Sequence, residues 1–500
     1  MSVGQGVLYS ESPEQKMEAM HMPNGLLKVK DGHPVISTTS QKGMKSAVSS
    51  LLVVDGRSAA MDYGVPYERS YARGQWSTAG KNYRLLLSKD RKTKSLMQRI
   101  VEYSDTAEPL GVITETKLEY KGYSDFPTTG YMTSEDSSYI MVFRYVDDNK
   151  KKKELPIHLE IYDREMNLQG QAEWIAPGKD GQRMYHMLSY ALGDDGTGYF
   201  LMKKYNDKYK ETAKKGKKAV SNYDLLVLAF SKTGALTEYV LDNEDAFSSS
   251  HSMSFYADGT PVVISNITSS SYEDASTTGF QFFIWDNSSQ AFSTVSHSWS
   301  EAEIEEFGKW RKTKVDGLRR YFYIEDVKSH GDKLTFLVVN SWRDWRGPRN
   351  ARYQVNVSGC ALTMTIDREG KKVDHLFVPR QVETGLPLPA PLMYIADDRP
   401  VLMFNDDSKN FDKSIAKLKD RLMDLKKYMF TGDIVVAAAY KDKSGTLQIE
   451  EIPDTKDHVL YNDYSFEIAE NEVGVVVLNV NGIFKKNLVK VANFDLTNLK

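Results

Sequence analysis

The chain has 500 residues, of which 41% are hydrophobic and 27% charged, and its formal net charge is -3. This balance is typical of a large globular protein, and it disfavours nucleic-acid binding, as does the lack of a recognised binding module. The single cysteine, Cys360, excludes an intramolecular disulfide and therefore a disulfide-built secreted scaffold. No stretch approaches the roughly 20 apolar residues of a membrane span.

Eight tight polar turns, each between two apolar runs, recur along the chain at separations of 48 to 74 residues. The runs after the turns are almost continuously apolar, as in YIMVF at 139–143, which indicates strands buried on both faces. A second hairpin follows, as at 157–174, so each repeat is predicted to have four antiparallel strands, A to D. The turns lie at Asp31-Gly32, Ala79-Gly80, Glu135-Asp136, Asp194-Asp195-Gly196, Asp258-Gly259, Gly331-Asp332, Asp397-Asp398 and Glu470-Asn471.

A long repeat built from strands predicts the blades of a β-propeller rather than a helical solenoid, and we expect one domain over residues 1–500. The last repeat has only three strands, so residues 3–11 are expected to supply its outer strand and close the ring. This count gives eight blades; seven is the alternative if residues 26–62 form no regular blade and Ser49 to Val54 closes the ring. The predicted blades span residues 26–62, 70–118, 130–176, 184–242, 250–299, 321–380, 392–453, and 464–496 together with 3–11.

Two helical insertions are predicted, near residues 300–310 and 410–429. Ser300 and Glu303 form a capping-box pattern at the start of a short helix that ends near Trp310. From Asn410 to Met429, apolar residues recur every three or four positions, which predicts an amphipathic helix. The apolar stripe of this helix either packs on the ring or docks another protein.

Charge is sorted by the class of connection. The B–C and D–A connections leave one face of a propeller and are rich in Lys and Arg, as at 203–222 and 343–352, whereas the A–B turns on the opposite face are mostly acidic. We therefore expect a disc with one basic and one acidic face, and the basic face would attract an anionic partner. The alternative is that Lys-rich loops are solvated connectors and that Asp-rich turns are simply good turn formers.

The sharpest candidate site is the stretch from Ser341 to Tyr353, where two tryptophans are interleaved with four arginines in an expected exposed loop. Tryptophan offers stacking surface and arginine a fork of donors, a mixture enriched at binding hot spots. Alternatively, Trp342 ends a strand and is buried between blades, with Trp345 capping the loop. The predicted partner-binding residues are Trp342, Arg343, Trp345, Arg346, Arg349 and Arg352, extended by Trp310, Arg311, Arg319 and Arg320.

Catalytic and cofactor motifs are scarce. The nine histidines have no metal-ligand spacing, and the sequence has no HExxH motif, nucleophile elbow, P-loop or dinucleotide-binding glycine fingerprint. No catalytic residue, metal site or cofactor is therefore predicted. A propeller can nevertheless assemble a site from one residue per blade, so a glycan- or peptide-processing enzyme with a site in the central funnel is the alternative function.

The four-strand repeat resembles the β-propeller superfamily across essentially the whole chain, although the Trp285-Asp286 dipeptide is solitary and the WD-repeat pattern is missing. The sequence of its repeats, as in IYDREMNLQGQAEW followed by GDDGTGYFLMKKY, is similar to that of divergent propeller proteins of Bacteroidota cell envelopes. The basic face and its Trp/Arg stretch favour a non-enzymatic interaction propeller that binds an acidic protein or another anionic ligand, and the resemblance implies a subunit or accessory of an envelope or secretion complex. The N-terminus lacks a signal-peptide layout, so we expect a periplasmic or envelope location only if a signal has been removed, and otherwise a cytoplasmic one.

Overall fold

The computed structural model is built almost entirely from strands. Its described residues form eight sheets of four or more strands: six sheets have four strands, one has five and one has six. The described residues are 8–11, 15–16, 21–30, 33–42, 46–53, 61–63, 70–90, 93, 95–103, 109–119, 127–145, 155–179, 184–215, 218–271, 276–308, 322–346, 353–384, 391–411, 422–424, 434–456, 458–469, 472–479 and 488–496.

The strands of the first four sheets follow one another along the chain. After β1 (Leu8–Glu11) and β2 (Gln15–Lys16), sheet 1 contains β3 (His21–Lys30), β4 (His33–Lys42), β5 (Ser46–Val53) and β6 (Met61–Tyr63). Sheet 2 contains β7 (Ser70–Thr78), β8 (Lys81–Asp90), β9 (Ser95–Tyr103) and β10 (Pro109–Glu119), and sheet 3 contains β11 (Thr128–Thr133), β12 (Tyr139–Tyr145), β13 (Leu155–Asp163) and β14 (Leu168–Ala176). Sheet 4 begins with β15 (Tyr185–Leu192) and β16 (Gly198–Tyr205), and after a separate hairpin of β17 (Thr212–Lys215) and β18 (Lys218–Ser221) it continues with β19 (Tyr223–Phe230) and β20 (Leu236–Leu241).

The second half of the chain repeats this order with longer insertions. Sheet 5 contains β21 (His251–Phe255), β22 (Pro261–Thr268), β23 (Thr277–Asp286) and β24 (Ala291–Ser298), and helix α1 (Glu301–Gly308) follows it. Sheet 6 contains β25 (Phe322–His330), β26 (Lys333–Arg346), β27 (Tyr353–Ile366), β28 (Lys372–Val378) and β29 (Gln381–Thr384). Sheet 7 contains β30 (Leu392–Ala396), β31 (Arg399–Asp407), β33 (Ile434–Lys441) and β34 (Leu447–Glu451). Between β31 and β33 the chain forms a 3-10 helix (Ser408–Asn410) and β32 (Leu422–Asp424), and β32 joins sheet 6. Sheet 8 contains β35 (His458–Ala469), β36 (Glu472–Asn479) and β37 (Leu488–Asp495), with β1 and β2.

The first strand of each sheet lies next to the first strand of the following sheet. Strand β3 contacts β7, β7 contacts β11, and the order continues through β15, β21, β25 and β30. Sheet 8 completes the order, because β35 contacts β31 and β33 on one side and β3 on the other. The chain is therefore an all-β propeller of four-stranded antiparallel units whose first strands surround the axis. The eight-blade count and the single-domain assignment remain predictions, and this cyclic order is what eight blades would give.

The N-terminal strand supplies the outer strand of sheet 8, which confirms the predicted closure. Strand β1 pairs antiparallel with β37, from Leu8 opposite Asp495 to Glu11 opposite Ala492. Strand β2 then pairs with the start of the same strand. Because β1 covers the backbone donors and acceptors along the outer side of β37, the last sheet has the four-strand order of the other sheets.

The apolar runs are buried on both faces because neighbouring sheets pack on one another. One cluster combines Phe200 and Leu226 of sheet 4 with Val263 and Phe283 of sheet 5, and all four side chains have no measurable exposure. Burying a side chain of this size stabilises the fold by about 1.5–3 kcal/mol. The continuous hydrophobic pattern of the sequence thus reflects packing between sheets.

A recurrent aspartate locks the C–D turns, and sequence analysis missed it. The Oδ1 atom of Asp442 accepts hydrogen bonds from the backbone N–H groups of Ser444 and Thr446, at 2.8 and 3.0 Å. Hydrogen bonds from Ser444, Thr446 and their neighbours lower the pKa of Asp442 to about 2. Asp163 and Asp367 each accept the equivalent pair of backbone hydrogen bonds in their own turns. An Asx turn of this kind therefore closes the outer hairpin of three sheets.

Helix α1 has the predicted capping box. The Ser300 hydroxyl accepts from the N–H of Glu303 at 3.3 Å, and the Glu303 carboxylate accepts from the N–H and hydroxyl of Ser300 at 2.8 and 2.7 Å. The ammonium of Lys372, on sheet 6, binds the same carboxylate. The cap therefore also fastens the helix that follows sheet 5 to sheet 6.

The helix predicted over Asn410 to Met429 is wrong at Leu422–Asp424. These three residues form β32, which pairs in parallel with Gln381–Thr384. The chain forms a 3-10 helix at Ser408–Asn410, whose first turn is capped by the Asp407 side chain. The side of β29 that does not pair with β27 offers β32 a pairing partner, and this tertiary contact overrides the helical spacing of apolar residues. Most of the remaining predicted helix lies outside the described residues.

We expect Glu303→Gln to lower the free energy of unfolding by about 1–3 kcal/mol near neutral pH, because Lys372 loses its anionic partner. Burial alone would raise the pKa of Glu303, but hydrogen bonds from Lys372 and Ser300 lower it from 4.5 to about 2. A lowered folded-state pKa gives stability that is present above pH 4.5 and is lost as the pH falls towards about 2. Urea titrations across this range should show the two proteins converging in acid, whereas exposed Glu301→Gln should match the parent throughout.

Candidate functional site

The connections leave the propeller on two opposite faces. The A–B and C–D turns lie on what we call the turn face, and the B–C and D–A connections lie on the loop face. Six of the eight predicted A–B turns fall among described residues, and each joins the first two strands of a sheet. Ala79-Gly80 and Asp397-Asp398 have positive φ at both positions, which matches the right-handed twist of a tight hairpin. The turns at 31–32 and 470–471 lie outside the described residues.

A Lys-rich hairpin stands on the loop face of sheet 4. Within the basic connection 203–222, β17 and β18 pair antiparallel from Thr212 opposite Ser221 to Lys215 opposite Lys218. The Lys214 side chain is exposed. This basic connection is therefore a folded hairpin, where sequence analysis had also allowed a solvated connector.

Hydrogen bonds fasten the base of this Lys hairpin. The side-chain amide of Asn222 donates to the carbonyls of Lys208 and Lys210, both at 2.9 Å. The Thr212 hydroxyl lies 2.8 Å from the Ser271 hydroxyl in the B–C connection of sheet 5. The hairpin is thus tied both to its own sheet and to the next one.

A buried cation lies beneath the Lys hairpin. The side chain of Lys203 is only 8% exposed, and its Nζ lies 2.9 Å from the Glu211 carboxylate and 4.1 Å from the centre of the Tyr223 ring. The Tyr205 hydroxyl donates to Glu211 at 2.6 Å, and burial together with this carboxylate raises the pKa of Tyr205. Because the ammonium is paired and stacked, its burial is compensated and the hairpin base is rigid.

A second hairpin rises from sheet 6 on the same face. Strands β26 and β27 pair from Leu334 opposite Ile366 to Arg346 opposite Tyr353. The inner strand β25 pairs with β26 only as far as Asn340, and the outer strand β28 ends with Val378 opposite Ala361. The distal part of the hairpin therefore continues past its blade, where β29 and β32 extend the sheet beside it.

The structure corrects the predicted exposed loop at Trp342, Arg343, Trp345 and Arg346. These residues lie on β26, where Trp342 pairs with Val357 and the next residues continue the same register. Both arms can supply a complete backbone ladder, which a surface loop of this length would leave to water. Trp342 is half-buried inside the strand rather than at its end, and it lies so close to Gly359 that a Cβ there would be 2.9 Å from its ring. Arg349, Arg352, Trp310, Arg311, Arg319 and Arg320 lie outside the described residues.

A buried arginine lies beneath the hairpin of β26 and β27, which we call the Trp/Arg hairpin. Arg380 Nη1 donates to the Ser358 hydroxyl at 3.0 Å, and its guanidinium lies 5.6 Å from the centre of the Phe404 ring on sheet 7. Burial lowers the pKa of Arg380 to about 10, and the nearby Asp406 carboxylate opposes that shift. The side chain therefore stays cationic at neutral pH and joins the hairpin base to the next sheet.

The turn face is less acidic than the A–B turns alone suggest. The C–D turns lie on the same face and contribute Lys232, Arg368 and Lys443. Arg368 forms an ion pair with Asp258 at 2.6 Å, and His330 and Lys333 both contact Asp398 at 3.0 Å. Sorting connections by only one class of turn thus overestimated the separation of charge.

Sequence analysis also missed a polar group at the loop-face end of two inner strands. His186 is the second residue of β15, His251 is the first residue of the adjacent β21, and His251 Nε2 lies 2.8 Å from the Ser248 hydroxyl. Burial, reinforced by the Lys203 cation, holds the pKa of His251 well below its usual value, so its ring is neutral at neutral pH. The one signal available in the sequence was that both histidines occupy the start of strand A in successive repeats.

The described residues contain neither a candidate metal site nor a helix that could span a membrane. No three His, Cys, Asp or Glu side chains among them are grouped closely enough to hold a metal ion. No helix in that part of the chain has the length and hydropathy needed to cross a membrane.

Comparison with known proteins gives only distant likenesses. No protein-family model matches the chain, and no curated protein matches it. Among solved structures, an oligogalacturonate lyase in complex with manganese is 9% identical over all of both chains, with a TM-score of 0.39. The WD40 domain of SCAP from fission yeast is 10% identical, covers 97% of this chain and 98% of its own, and has a TM-score of 0.35. A mutant of Synechocystis apocarotenoid oxygenase is 10% identical, with coverage of 97% and 89% and a TM-score of 0.33. The assignment to the propeller fold therefore depends on the sheet topology.

We expect Asn222→Ala to loosen the Lys hairpin, because the carbonyls of Lys208 and Lys210 lose their donor, at a local cost of about 1–3 kcal/mol. In proportion to this local loss of stability, hydrogen exchange of the backbone amides in 212–221 should become roughly ten times faster or more. Asn206→Ala, an exposed position in the same connection, is the matched control and should leave the exchange rates unchanged. Equal exchange in both variants would show that Asn222 does not anchor the hairpin.

Proposed function

We propose that this chain is a non-enzymatic interaction propeller whose loop face binds an acidic protein partner. One observation carries the proposal: two basic connections on that face are β-hairpins, each tied down at its base by a buried cation. A folded hairpin loses less conformational freedom on binding than a flexible connector, so more of the contact energy appears as affinity. Clustered cations on one face also steer an anionic surface towards it.

The Trp/Arg hairpin is the proposed anchor and the Lys hairpin the proposed steering element. Trp345, Arg346 and Arg349 combine the residue types that dominate binding hot spots, and β26 brings the first two beyond the edge of the blade. The half-buried Trp342 packs on its own hairpin and supports it. The same proposal makes the protein a subunit or accessory of a bacterial envelope or secretion complex. The similarity of the repeat sequences is the only support for this part.

The triple substitution Trp345→Ala, Arg346→Ala and Arg349→Ala should weaken capture of the partner by at least roughly tenfold, because it removes the stacking surface and the forked donors together. The measurement is crosslinking and affinity purification from the native cell, followed by titration of the recovered partner at low and moderate salt. Lys371→Ala with Lys443→Ala removes charge from the turn face and is the control. Undiminished capture by the triple variant at moderate salt refutes the proposal.

The second candidate function is a glycan- or peptide-processing enzyme with its site in the central funnel. The observation in its favour is the Ser248–His251 pair, in which a neutral imidazole lies within hydrogen-bond distance of a hydroxyl beside the start of inner strand β21. A neutral base beside a hydroxyl is the arrangement that activates a serine nucleophile. The hydroxyl also lies 3.1 Å from the Tyr223 hydroxyl, which gives the group an equally good structural use in fixing the D–A connection.

A catalytic Ser248 makes a clear kinetic prediction. Any turnover of chromogenic peptide or glycoside substrates should fall by roughly a thousandfold or more in Ser248→Ala, whereas Ser254→Ala, on the inner strand β21 that follows, should leave it unchanged. Equal turnover by both variants would assign Ser248 to structure. Circular dichroism on each variant checks that the propeller has folded.

A further inference from the structure

Cations from two C–D turns reach across the turn face to the preceding sheet. Lys232, in the turn of sheet 4, contacts Tyr139 of sheet 3, with its Nζ 2.9 Å from the hydroxyl and 5.0 Å from the ring centre. Arg368, in the turn of sheet 6, lies 4.7 Å from the Tyr256 ring of sheet 5 and pairs with Asp258. Both cations directly follow the residue that begins the C–D turn. The fold thus uses a repeated device, an aromatic ring and a cation that clamp neighbouring sheets on this face.

Sheet 5 lacks the cation of this device. The equivalent position in its C–D turn is Asn287, which accepts a hydrogen bond at 2.9 Å from the indole N–H of Trp285 in the same sheet. The gap between sheets 4 and 5 therefore receives no cation from that turn. Arg164 of sheet 3 shows that the position does not always reach across, because it pairs instead with Glu165 beside it.

An aromatic slot lies in the gap between sheets 4 and 5. Its volume is about 210 Å³, and its lining includes Tyr199 and Tyr239 of sheet 4 with Trp285 and Phe292 of sheet 5. The Tyr239 and Trp285 rings meet edge to face, with centres 5.0 Å apart. All four rings are half-buried, so they are held in place and still reach solvent. Such a slot can take a flat or elongated side chain.

The polar side chains that line the slot are uncharged, and two aspartates lie beside it. Thr197 and Ser231 hydroxyls line it, and no Lys, Arg or His does. Asp195 binds the Thr197 hydroxyl at 2.8 Å, and Asp286 directly follows Trp285 in the chain. Hydrogen bonds from Ser288 and Ser289 lower the pKa of Asp286, so it is anionic at neutral pH. Among the described residues, neither aspartate is within ion-pair distance of a cation, although Lys232 lies near enough to Asp195 for this carboxylate to contribute to the raised pKa of Lys232. Asp286 therefore supplies the main charge beside the slot that is complementary to a cation.

We propose that this slot binds an arginine side chain of a basic protein partner, supplied in place of the cation that sheet 5 lacks. Arg368 is the internal precedent, since its guanidinium combines an aromatic face, an aspartate and, at 3.4 Å, a threonine hydroxyl. A guanidinium is planar, stacks on rings and donates to several acceptors at once, which suits this lining better than the compact ammonium of lysine. This site is independent of the binding proposed for the loop face. The slot lies on the turn face and takes a cation, whereas the loop face is proposed to take an acidic surface.

Asn287→Arg supplies the missing cation from the chain itself and should therefore close the slot. Binding of a fluorescent oligoarginine peptide, measured by anisotropy and by quenching of tryptophan emission, should weaken by roughly tenfold. Asn287→Ala removes the same hydrogen bond to Trp285 without adding a cation, and it should bind as the parent does. Oligolysine of equal length should bind more weakly than oligoarginine to the parent and should not discriminate between the variants.

Three results would overturn the proposal. Equal binding of oligoarginine to Asn287→Arg and Asn287→Ala would place the peptide elsewhere on the turn face. Equal affinity for oligolysine and oligoarginine would reduce the effect to bulk charge. Self-association of the protein that disappears in Asn287→Arg would make a second copy the occupant instead of a separate partner. Loss of loop-face binding in the Trp345, Arg346 and Arg349 variant leaves all three readouts unaffected, so the two proposals fail separately.

Discussion

The pairing of β1 with β37 is the constraint on which the position of every other element depends. A circular arrangement of sheets has no internal reference until its two ends meet, and here the ends meet as neighbouring strands of one sheet. Once this sheet is complete, each inner strand has a neighbour on both sides and the direction of all turns is fixed. The separation into a turn face and a loop face follows from that closure together with the antiparallel order of strands.

The two faces solve the burial of charge in different ways. On the loop face, Lys203 and Arg380 are buried beneath hairpins. Lys203 is paired with Glu211, and Arg380 lies near Asp406. On the turn face, cations lie at the surface and stack on rings of the neighbouring sheet, as Arg368 does on Tyr256. Buried, paired cations stiffen the hairpins above them, whereas exposed cations clamp neighbouring sheets at modest energetic gain.

The sequence allowed the fold to be predicted closely because its signals are local. Turn residues such as Ala79-Gly80 and Asp397-Asp398, and the capping box of Ser300 with Glu303, act within a few positions of the chain. The remote closure by residues near Leu8 was also predictable, because a missing fourth strand leaves one place to fill. Where an element depends on a distant partner, prediction failed: Leu422–Asp424 pair with β29, although the apolar spacing around them indicated a helix.

The candidate sites were harder to predict because each combines distant segments. The predicted Trp/Arg stretch was found on a hairpin whose length depends on its partner arm, which local composition does not reveal. The groups around Ser248 and Trp285 combine residues of two sheets, and no motif marks either set. The absence of a cation at Asn287 gains meaning only when it is compared with Lys232 and Arg368 in space.

The aspartate that locks the C–D turns of three sheets has a consequence for how the chain folds. The hydrogen bonds of Asp163, Asp367 and Asp442 join residues two and four positions apart, so each of these three outer hairpins carries a local nucleus that closes only a short loop. Ring closure, by contrast, must bring together residues from opposite ends of the chain. The molecule thus combines the shortest and the longest contacts its length permits, and its assembly divides into many fast local steps and one slow global one.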